Sequence, residues 1–506
     1  VPVRIDRLRR RTAIGDRYAL GCALGLLLMS ACTVGPEFTA PAPAAPKSYV
    51  DASSAAGGSG PVETPMAPRW WDLFQDPVLT ALIDRAGMAN FDVRIAAARL
   101  RESRAQLGIV SADGRPTLNY NASYTHQLLS KDGVISLFPD SNNASANGLG
   151  GRQGGIPTPT VIAPFDLWQQ GFDASWELDL FGHVRREQEG ARATAQAAEE
   201  TRRDMLVSVS AEVARDYLQL RGAEVSLEVT RASERKAREA WDLTRERRAA
   251  GLASELDTAT AEAQLATLSA SLAPLEQQID QAKGAIAYLL GVTRADVDSD
   301  LAKGAAIPPV PPAVPIGLPS ELARRRPDIR AAEAQLHRAT ADIGVAQAEF
   351  YPRITLSGSA GLQALQLKNF GSWGARNFNV GPGLTLPLFE GGMLRSTLEL
   401  RRAEQQEAGL TYERTVLQAF HEVDDALTAY AAEQRRRQQL AVAADASHRA
   451  ALYALDQYRG GLTDFLRVLD ADRTELTARQ QLAASDTSID TNLVQLYKAL
   501  GGGWTP

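Results

Sequence analysis

Cysteine is all but missing. The 506-residue chain holds two, Cys22 and Cys32, and Cys22 falls inside an apolar leader, so no disulfide can form within the segment after residue 31. Stability there must come from packing and assembly. Histidine is nearly as scarce: His126, His183, His337, His421 and His448 are scattered, with no HExxH pair or other metal-ligand spacing. The sequence also lacks a P-loop, a G-x-G-x-x-G turn after a strand and a G-x-S-x-G elbow. No enzyme, no metal and no cofactor are expected. Acidic pairs such as Glu199-Glu200 and Asp424-Asp425, and the basic run Arg435-Arg436-Arg437, lie on long polar stretches and read as solvated helix faces. Beyond the leader no run reaches the roughly 18–20 apolar residues of a transmembrane helix. If the chain spans a membrane, it does so with strands. Aromatic residues are only 6% of the chain, while Ala, Leu, Glu, Gln and Arg dominate long stretches, a composition that favours long helices over a β-rich globule.

The opening residues form a targeting segment. Arg4, Arg7, Arg9, Arg10, Arg11 and Arg17 make a basic start, an apolar run extends from Tyr18 to Met29, and small residues lead to Cys32. Residues 1–31 read as a secretory signal peptide, too short and too asymmetrically flanked for a membrane span. Met29-Ser30-Ala31-Cys32 is similar to a bacterial lipobox, with Met where Leu is commoner. Cys32 is then the mature N-terminus and the site of lipidation, and several acyl chains hold a protein in lipid because each buried CH₂ contributes roughly 0.8 kcal/mol. Removing residues 1–31 takes away six Arg and two Asp, which moves the net charge from −6 to about −10. That argues against nucleic acid as a partner. Residues 32–68, rich in Pro, Ala, Gly and Ser, read as an extended lipidated tether.

The body is an internal duplication. Arg94 to Pro116 aligns without a gap with Arg330 to Pro352, pairing Leu100 with Leu336, Ala105 with Ala341 and Gly108 with Gly344. Further on, Leu178-x-Leu180-Phe181 matches Leu386-x-Leu388-Phe389, Gly251-Leu252 matches Gly461-Leu462, and Leu290-Gly291 matches Leu500-Gly501. The first copy carries an insertion in the Gly/Ser/Asn/Pro-rich region 128–165. The copies span 69–307 and 327–506, separated by a Pro-rich inter-repeat segment, 308–326.

Each copy reads helix, strand, loop, strand, long helix, turn, helix. The expected strands are 116–127 and 171–181 in the first copy, 352–365 and 378–389 in the second. Tyr120, Ala122 and Tyr124 alternate with Asn119, Asn121 and Ser123, while Phe172, Ala174, Trp176, Leu178 and Leu180 alternate with Asp173, Ser175, Glu177 and Asp179. Such alternation over about ten residues marks a transmembrane β-strand. The expected helices are 183–250 and 253–290, then 391–459 and 462–500. The longer two contain no proline and would each reach roughly 100 Å. Val213, Tyr217, Leu220, Ala223 and Leu227 in one, and Val416, Phe420, Val423, Leu427 and Tyr430 in the other, step by three and four along a coiled-coil-like seam. Four strands cannot close a barrel, and no strand edge stays unpaired in lipid. Other copies must complete it: two would give eight strands, three would give twelve, and the residues alone do not choose.

From Cys32 to Trp504 the sequence resembles the TolC/OprM-type outer-membrane factors, especially the NodT-like lipoproteins of tripartite efflux systems. The resemblance rests on Cys32-Thr33-Val34-Gly35-Pro36, Arg325-Arg326-Pro327-Asp328-Ile329-Arg330, Leu386-Pro387-Leu388-Phe389 and Leu496-Tyr497-Lys498-Ala499-Leu500-Gly501-Gly502-Gly503-Trp504. It implies a mixed fold, an all-α periplasmic tunnel plus a membrane β-barrel. A homotrimer would form a 12-stranded barrel in outer-membrane lipid and an α-helical barrel beneath it. It also implies a passive conduit for drugs or other small toxic compounds. An inner-membrane pump of the resistance–nodulation–division (RND) type would supply the driving force, and a periplasmic adaptor (membrane fusion protein) would join the two. Thr33, where inner-membrane lipoproteins usually carry Asp, implies outer-membrane sorting.

The resemblance assigns roles to the hairpin turns. Gly251, Leu252, Ala253 and Ser254, with Gly461, Leu462, Thr463 and Asp464, would form the adaptor-binding tip; glycine ends each helix cheaply, and Ser254 with Asp257 fits a capping pattern. Positions matching Leu466 and Asp470 face the pore and constrict it in the family. Tyr458 matches a residue that ties the closed helices together. Arg467 stands where some relatives are acidic, a departure from a second acidic ring. The plainer reading pairs Asp470 with Arg467 or Arg473, worth a few tenths of a kcal/mol. Opening would untwist the second hairpin, 391–500, and move Asp470 outward. Two other readings are a channel for type I protein secretion, against which the lipobox and the Gly-Gly-Gly-Trp end weigh, and an envelope-spanning structural lipoprotein, against which the alternating strands weigh.

Overall fold

The computed structural model describes residues 33–42, 46, 49, 60–128, 164–302 and 306–504. Cys32 and the leader lie outside the described residues, as do residues 50–59 of the expected tether and residues 129–163 of the insertion. In chain order the strands are β1 (Gly60–Val62), β2 (Thr117–Gln127), β3 (Phe165–Glu177), β4 (Ala313–Pro315), β5 (Arg353–Ala364) and β6 (Arg376–Thr385). The α-helices are α1 (Pro77–Ala89), α2 (Phe91–Asp113), α3 (His183–Ala249), α4 (Glu255–Leu289), α5 (Ala295–Leu301), α6 (Pro319–Arg325), α7 (Pro327–Ala348), α8 (Met393–Arg459) and α9 (Phe465–Ala499). Among the described residues, no helix is long and apolar enough to cross a membrane.

The described residues fall into two compact units. The first takes its residues from Val1–Glu37, Leu107–Gly190 and Thr340–Arg402. Its frame is an antiparallel sheet in the order β2-β3-β5-β6. The register sorts the side chains by chemistry. Tyr120 faces Phe172, Phe172 faces Ala360, and Ala360 faces Phe378; Trp176 faces Leu356. These residues share one face, because residues directly opposite one another point the same way. On the other face Asn119 lies opposite Asp173, Asp173 opposite Ser359, and Ser359 opposite Asn379. The apolar face is not packed: Tyr120, Phe172, Phe378 and Val380 are all more than half exposed.

Two strands differ from expectation. β3 runs 165–177 rather than 171–181, so Leu178 and Leu180 continue the alternation beyond the strand. Leu178 donates to the Ile354 carbonyl at 2.8 Å, but Leu180 then folds back onto the Leu178 carbonyl, and the Phe181 ring stacks on Tyr351. Their apolar character serves local packing. β6 stops at Thr385 rather than 389, because Pro387 has no N–H to offer a ladder.

The start of the expected tether is docked. Val34 donates to the Phe181 carbonyl, and Arg186, whose side chain is 2% exposed, donates to the Val34 and Gly35 carbonyls and to Glu37 and Glu189. Gly35 sits at φ +98°, and a Cβ there would fall 2.5 Å from Gly344 Cα. A single buried guanidinium thus collects backbone carbonyls that a free tether would have left to water.

The second unit takes Phe38–Gln106, Ala191–Ala339 and Ala403–Pro506. Here too the tether is held: Phe38 stacks on His337, the Tyr412 hydroxyl donates to the Pro41 carbonyl, and β1 pairs in parallel with β4. The core gathers Trp70, Phe74, Leu79, Tyr217, Leu220, Ile286, Tyr430 and Tyr497, with Trp70 and Tyr497 stacked at 5.2 Å. The α1 cap is tied into it, since Asp76 accepts from Val78 and Leu79 at the helix start and from the Tyr217 hydroxyl. The duplication repeats in the backbone. Gly291 and Gly501, both at positive φ, end α4 and α9, with Val292 donating to the Ala287 carbonyl and Gly502 to that of Tyr497.

Candidate functional site: the hairpin turns and gate residues

The two long hairpins turn in the same way. After α3, Gly251 takes φ +72° and Leu252 donates to the Arg247 carbonyl at 2.7 Å; after α8, Gly461 takes φ +75° and Leu462 donates to the Gln457 carbonyl at 2.8 Å. This 6→1 closure satisfies a carbonyl left over at a helix end. The returning helices are capped by different means. Ser254 and Asp257 exchange side-chain-to-backbone bonds in a capping box at α4, whereas the Asp464 carboxylate alone accepts from Arg467 N–H at α9.

The closures push leucine outward. Leu252 is 69% exposed and Leu462 81%. Behind them a small core of Tyr458, Phe465, Val468 and Ala261, with Trp241 against it, holds the tip. Tyr458 is 5% exposed, and its hydroxyl has no hydrogen-bond partner. Burial pushes its phenol up from the usual range. Within the single chain that hydroxyl makes no link to a described residue. Arg247 of α3 makes one through the backbone instead: it donates to the carbonyls of Tyr458 (3.0 Å) and Arg459 (3.4 Å) at the end of α8, with its guanidinium 4.7 Å from the Tyr458 ring centre.

Leu466 and Asp470 both lie on the exposed face of α9, opposite Phe465, Val468 and Leu469. Asp470 has no ion pair with Arg467 or Arg473 among the described residues; the Arg473 guanidinium donates to Gln264 on α4 instead.

One polar cluster near the tip was not anticipated. Glu475 of α9, 3% exposed, accepts from Lys236 of α3 and Arg479 of its own helix, and its carboxylate lies 2.8 Å from a ring nitrogen of His448 on α8. Burial pushes the Glu475 pKa up, but the bonds from Lys236 and His448 outweigh it and leave it below the usual carboxylate range. Neighbouring Asp472 has no such bonds; burial carries it up to about 6, against the pull of Lys236 and with a push from Glu475. Arg247 and Glu475 left no signal in the sequence, because the Arg247–Tyr458 and Lys236–Glu475 contacts each join positions more than 200 apart. No group of three or more potential metal ligands occurs among the described residues.

The family described as outer membrane efflux protein matches residues 82–292 and 318–502, one match in each copy of the repeat. The chain belongs to the outer membrane efflux proteins. It is 33% identical over 494 residues to outer membrane protein OprJ of Pseudomonas aeruginosa, covering 96% of both chains. It is 32% identical over 483 residues to solvent efflux pump outer membrane protein SrpC of Pseudomonas putida, covering 95% of this chain and 97% of that one. Among solved structures, the outer-membrane channel OprN superposes with a TM-score of 0.84 at 35% identity, over 94% of this chain and all of that one. The fold is that of a TolC-like channel, with a helical tunnel and membrane strands, and the protein is an outer-membrane efflux component. Its family consists of conduits rather than enzymes.

Proposed function

We propose that three copies of the chain close one passive duct through the outer membrane and into the periplasm. The observation that carries this reading is the sheet. The outer edges of β2 and β6 pair with no strand among the described residues, and one sheet face is apolar and exposed. Open edges are untenable in lipid, so β2 of one copy takes β6 of the next, with the apolar face outward and the Asn/Asp/Ser face toward a wet lumen.

The remaining roles follow from this duct. Lipidated Cys32 anchors each copy. Gly251 to Ser254 and Gly461 to Asp464 form the end that a periplasmic adaptor grips, and exposed Leu252 and Leu462 supply apolar contact. Leu466 and Asp470 ring the axis near that end, the leucines excluding water and the aspartates repelling anions. An inner-membrane pump of the proton-driven class supplies the energy, and the cargo is small toxic compounds of the kind named for the solvent-efflux relative SrpC. Chemical crosslinking in intact cells, followed by pull-down of the tagged chain and mass spectrometry, tests the assembly. A trimer carrying an adaptor and a proton-driven pump is expected. A monomer without inner-membrane partners would sink the reading, and an ATP-driven partner would replace efflux with protein secretion.

A further inference from the structure

Away from the tip and the sheet, one cavity of the second unit is lined with more donors than acceptors. It measures about 420 Å³ and lies among the segment around Trp71, α1, α3 and the Gly503-Trp504 end. Three guanidinium groups line it, Arg69, Arg202 and Arg203, against a single carboxylate, Asp84. Arg69 already occupies Asp84 with two hydrogen bonds, at 2.9 and 3.1 Å. Arg203 is held by Glu199 and Glu200, neither of which lines the cavity, and lies 4.7 Å from the centre of the Trp504 ring. Arg202 has no hydrogen-bond or ion-pair partner among the described residues. Trp71, only 5% exposed, keeps a buried indole N–H with no acceptor, and the Ser210 side chain, also buried, lines the same wall.

Buried donors without acceptors are rare in native proteins, and each asks for an explanation. Arg69 is matched by Asp72 and Asp84, and Arg203 by Glu199 and Glu200, so the charge left over on this wall is that of Arg202, which favours an anion over a cation. The rest of the lining is apolar and includes Leu206, Ile83 and Met88, the last 77% exposed. A bare inorganic anion would leave that half unused.

We infer that this cavity binds an organic carboxylate with an apolar body. The Arg202 fork takes the carboxylate, a group whose planar geometry it matches with two parallel bonds. The Ser210 side chain lies on the same wall. The body lies against Leu206, Met88 and the Trp504 ring. This site does not depend on the duct reading, since every residue in it belongs to one chain and one unit.

The test is a ¹⁹F NMR titration of the purified full chain in neutral detergent with 4-(trifluoromethyl)benzoate. The uncharged 4-(trifluoromethyl)benzamide serves as control and inorganic phosphate as competitor. Saturable broadening of the benzoate signal is expected, with the amide at least tenfold weaker. Arg202→Gln is expected to lower benzoate affinity about tenfold, as loss of a charge-assisted pair does, while Arg202→Lys keeps part of it. Equal binding of benzoate and amide, unchanged affinity in Arg202→Gln, or no saturable binding would each overturn the assignment. Displacement by phosphate at equal concentration would overturn the apolar half of it. Arg202 is half-buried, so thermal unfolding serves as the check on the integrity of its variants.

Discussion

The Arg247 guanidinium lies 4.7 Å from the centre of the Tyr458 ring while donating, at 3.0 Å, to the carbonyl oxygen of that same residue. One side chain of the first hairpin thus caps the end of α8 and covers its last aromatic ring. A cation at a helix C-terminus meets the negative end of the dipole and unsatisfied carbonyls, and the ring face adds cation–π attraction. Both hairpins are joined just before the turn that begins the tip.

Arg247→Ala should therefore loosen the tip without unfolding the chain. In planar bilayers the purified channel is expected to show more frequent opening at rest than wild type. In cells, uptake of large hydrophilic antibiotics should rise. Arg247→Lys, which keeps the charge but loses the fork, should fall between the two. Identical resting conductance in all three proteins would show that the contact is only a cap.

Asp470 should act separately from this latch. Its carboxylate is exposed and has no partner at Arg467 or Arg473, so removing it breaks no ion pair. Asp470→Ala is expected to leave thermal stability within about 0.5 kcal/mol, as for other surface changes. Resting leakage should rise, and the preference for cations over anions should fall. A change in stability with no change in ion selectivity would return Asp470 to the status of an ordinary surface residue.

How much of this was legible beforehand depended on the range of the interactions. The alternation of Tyr120, Tyr124 and Phe172 is local, and it identified β2 and β3 as strands with one apolar face. The glycines at 251 and 461 are local signals too, and both ended helices where the sequence placed them. The end of β3 lies short of the expected one because Leu178 and Leu180 keep the period-two pattern, and Phe181 its apolar character, outside the ladder. Their partners Tyr351 and Ile354 are remote in sequence. Arg247 and Glu475 were invisible for a related reason: which face of a long polar helix meets a neighbour is not fixed by composition. The docking of Val34 and Gly35 was hidden behind a Pro/Gly-rich stretch that reads as a tether until a buried Arg186 is found to hold it.

That docking predicts a sharp response at two glycines. Gly35 has φ +98°, and a Cβ at Gly344 would come within 2.8 Å of the Arg186 side chain. Gly35→Ala combines left-handed strain with overlap against backbone, whereas Gly344→Ala has no left-handed strain and presses on the Arg186 stem. Gly35→Ala should destabilise by roughly 1–3 kcal/mol, and Gly344→Ala by less. Limited digestion with proteinase K should nick residues 33–42 in the first variant well before the second. Equal protection in both would mean that Arg186 does not hold the segment.

Acidity provides the last prediction, because two neighbouring carboxylates respond to it with opposite sign. Asp472 is raised to about 6 by burial, above its unfolded value. Its folded form therefore binds the proton more tightly, and the stability this brings is complete below the unfolded value of roughly 4 and lost as pH rises through 6. Glu475 is lowered, its burial outweighed by bonds from Lys236 and His448. Its contribution is present above its unfolded value and disappears as pH falls through the lowered one. Asp472→Asn should thus raise the thermal midpoint at pH 8, by about 2–4 °C, and flatten its dependence between pH 4 and 6. Glu475→Gln should lower the midpoint at pH 7, since it leaves Lys236 and Arg479 without their carboxylate, and the deficit should shrink toward pH 3. Parallel melting curves of the two variants across pH 3–8 would mean that the cluster does not couple the three helices in the way its geometry requires.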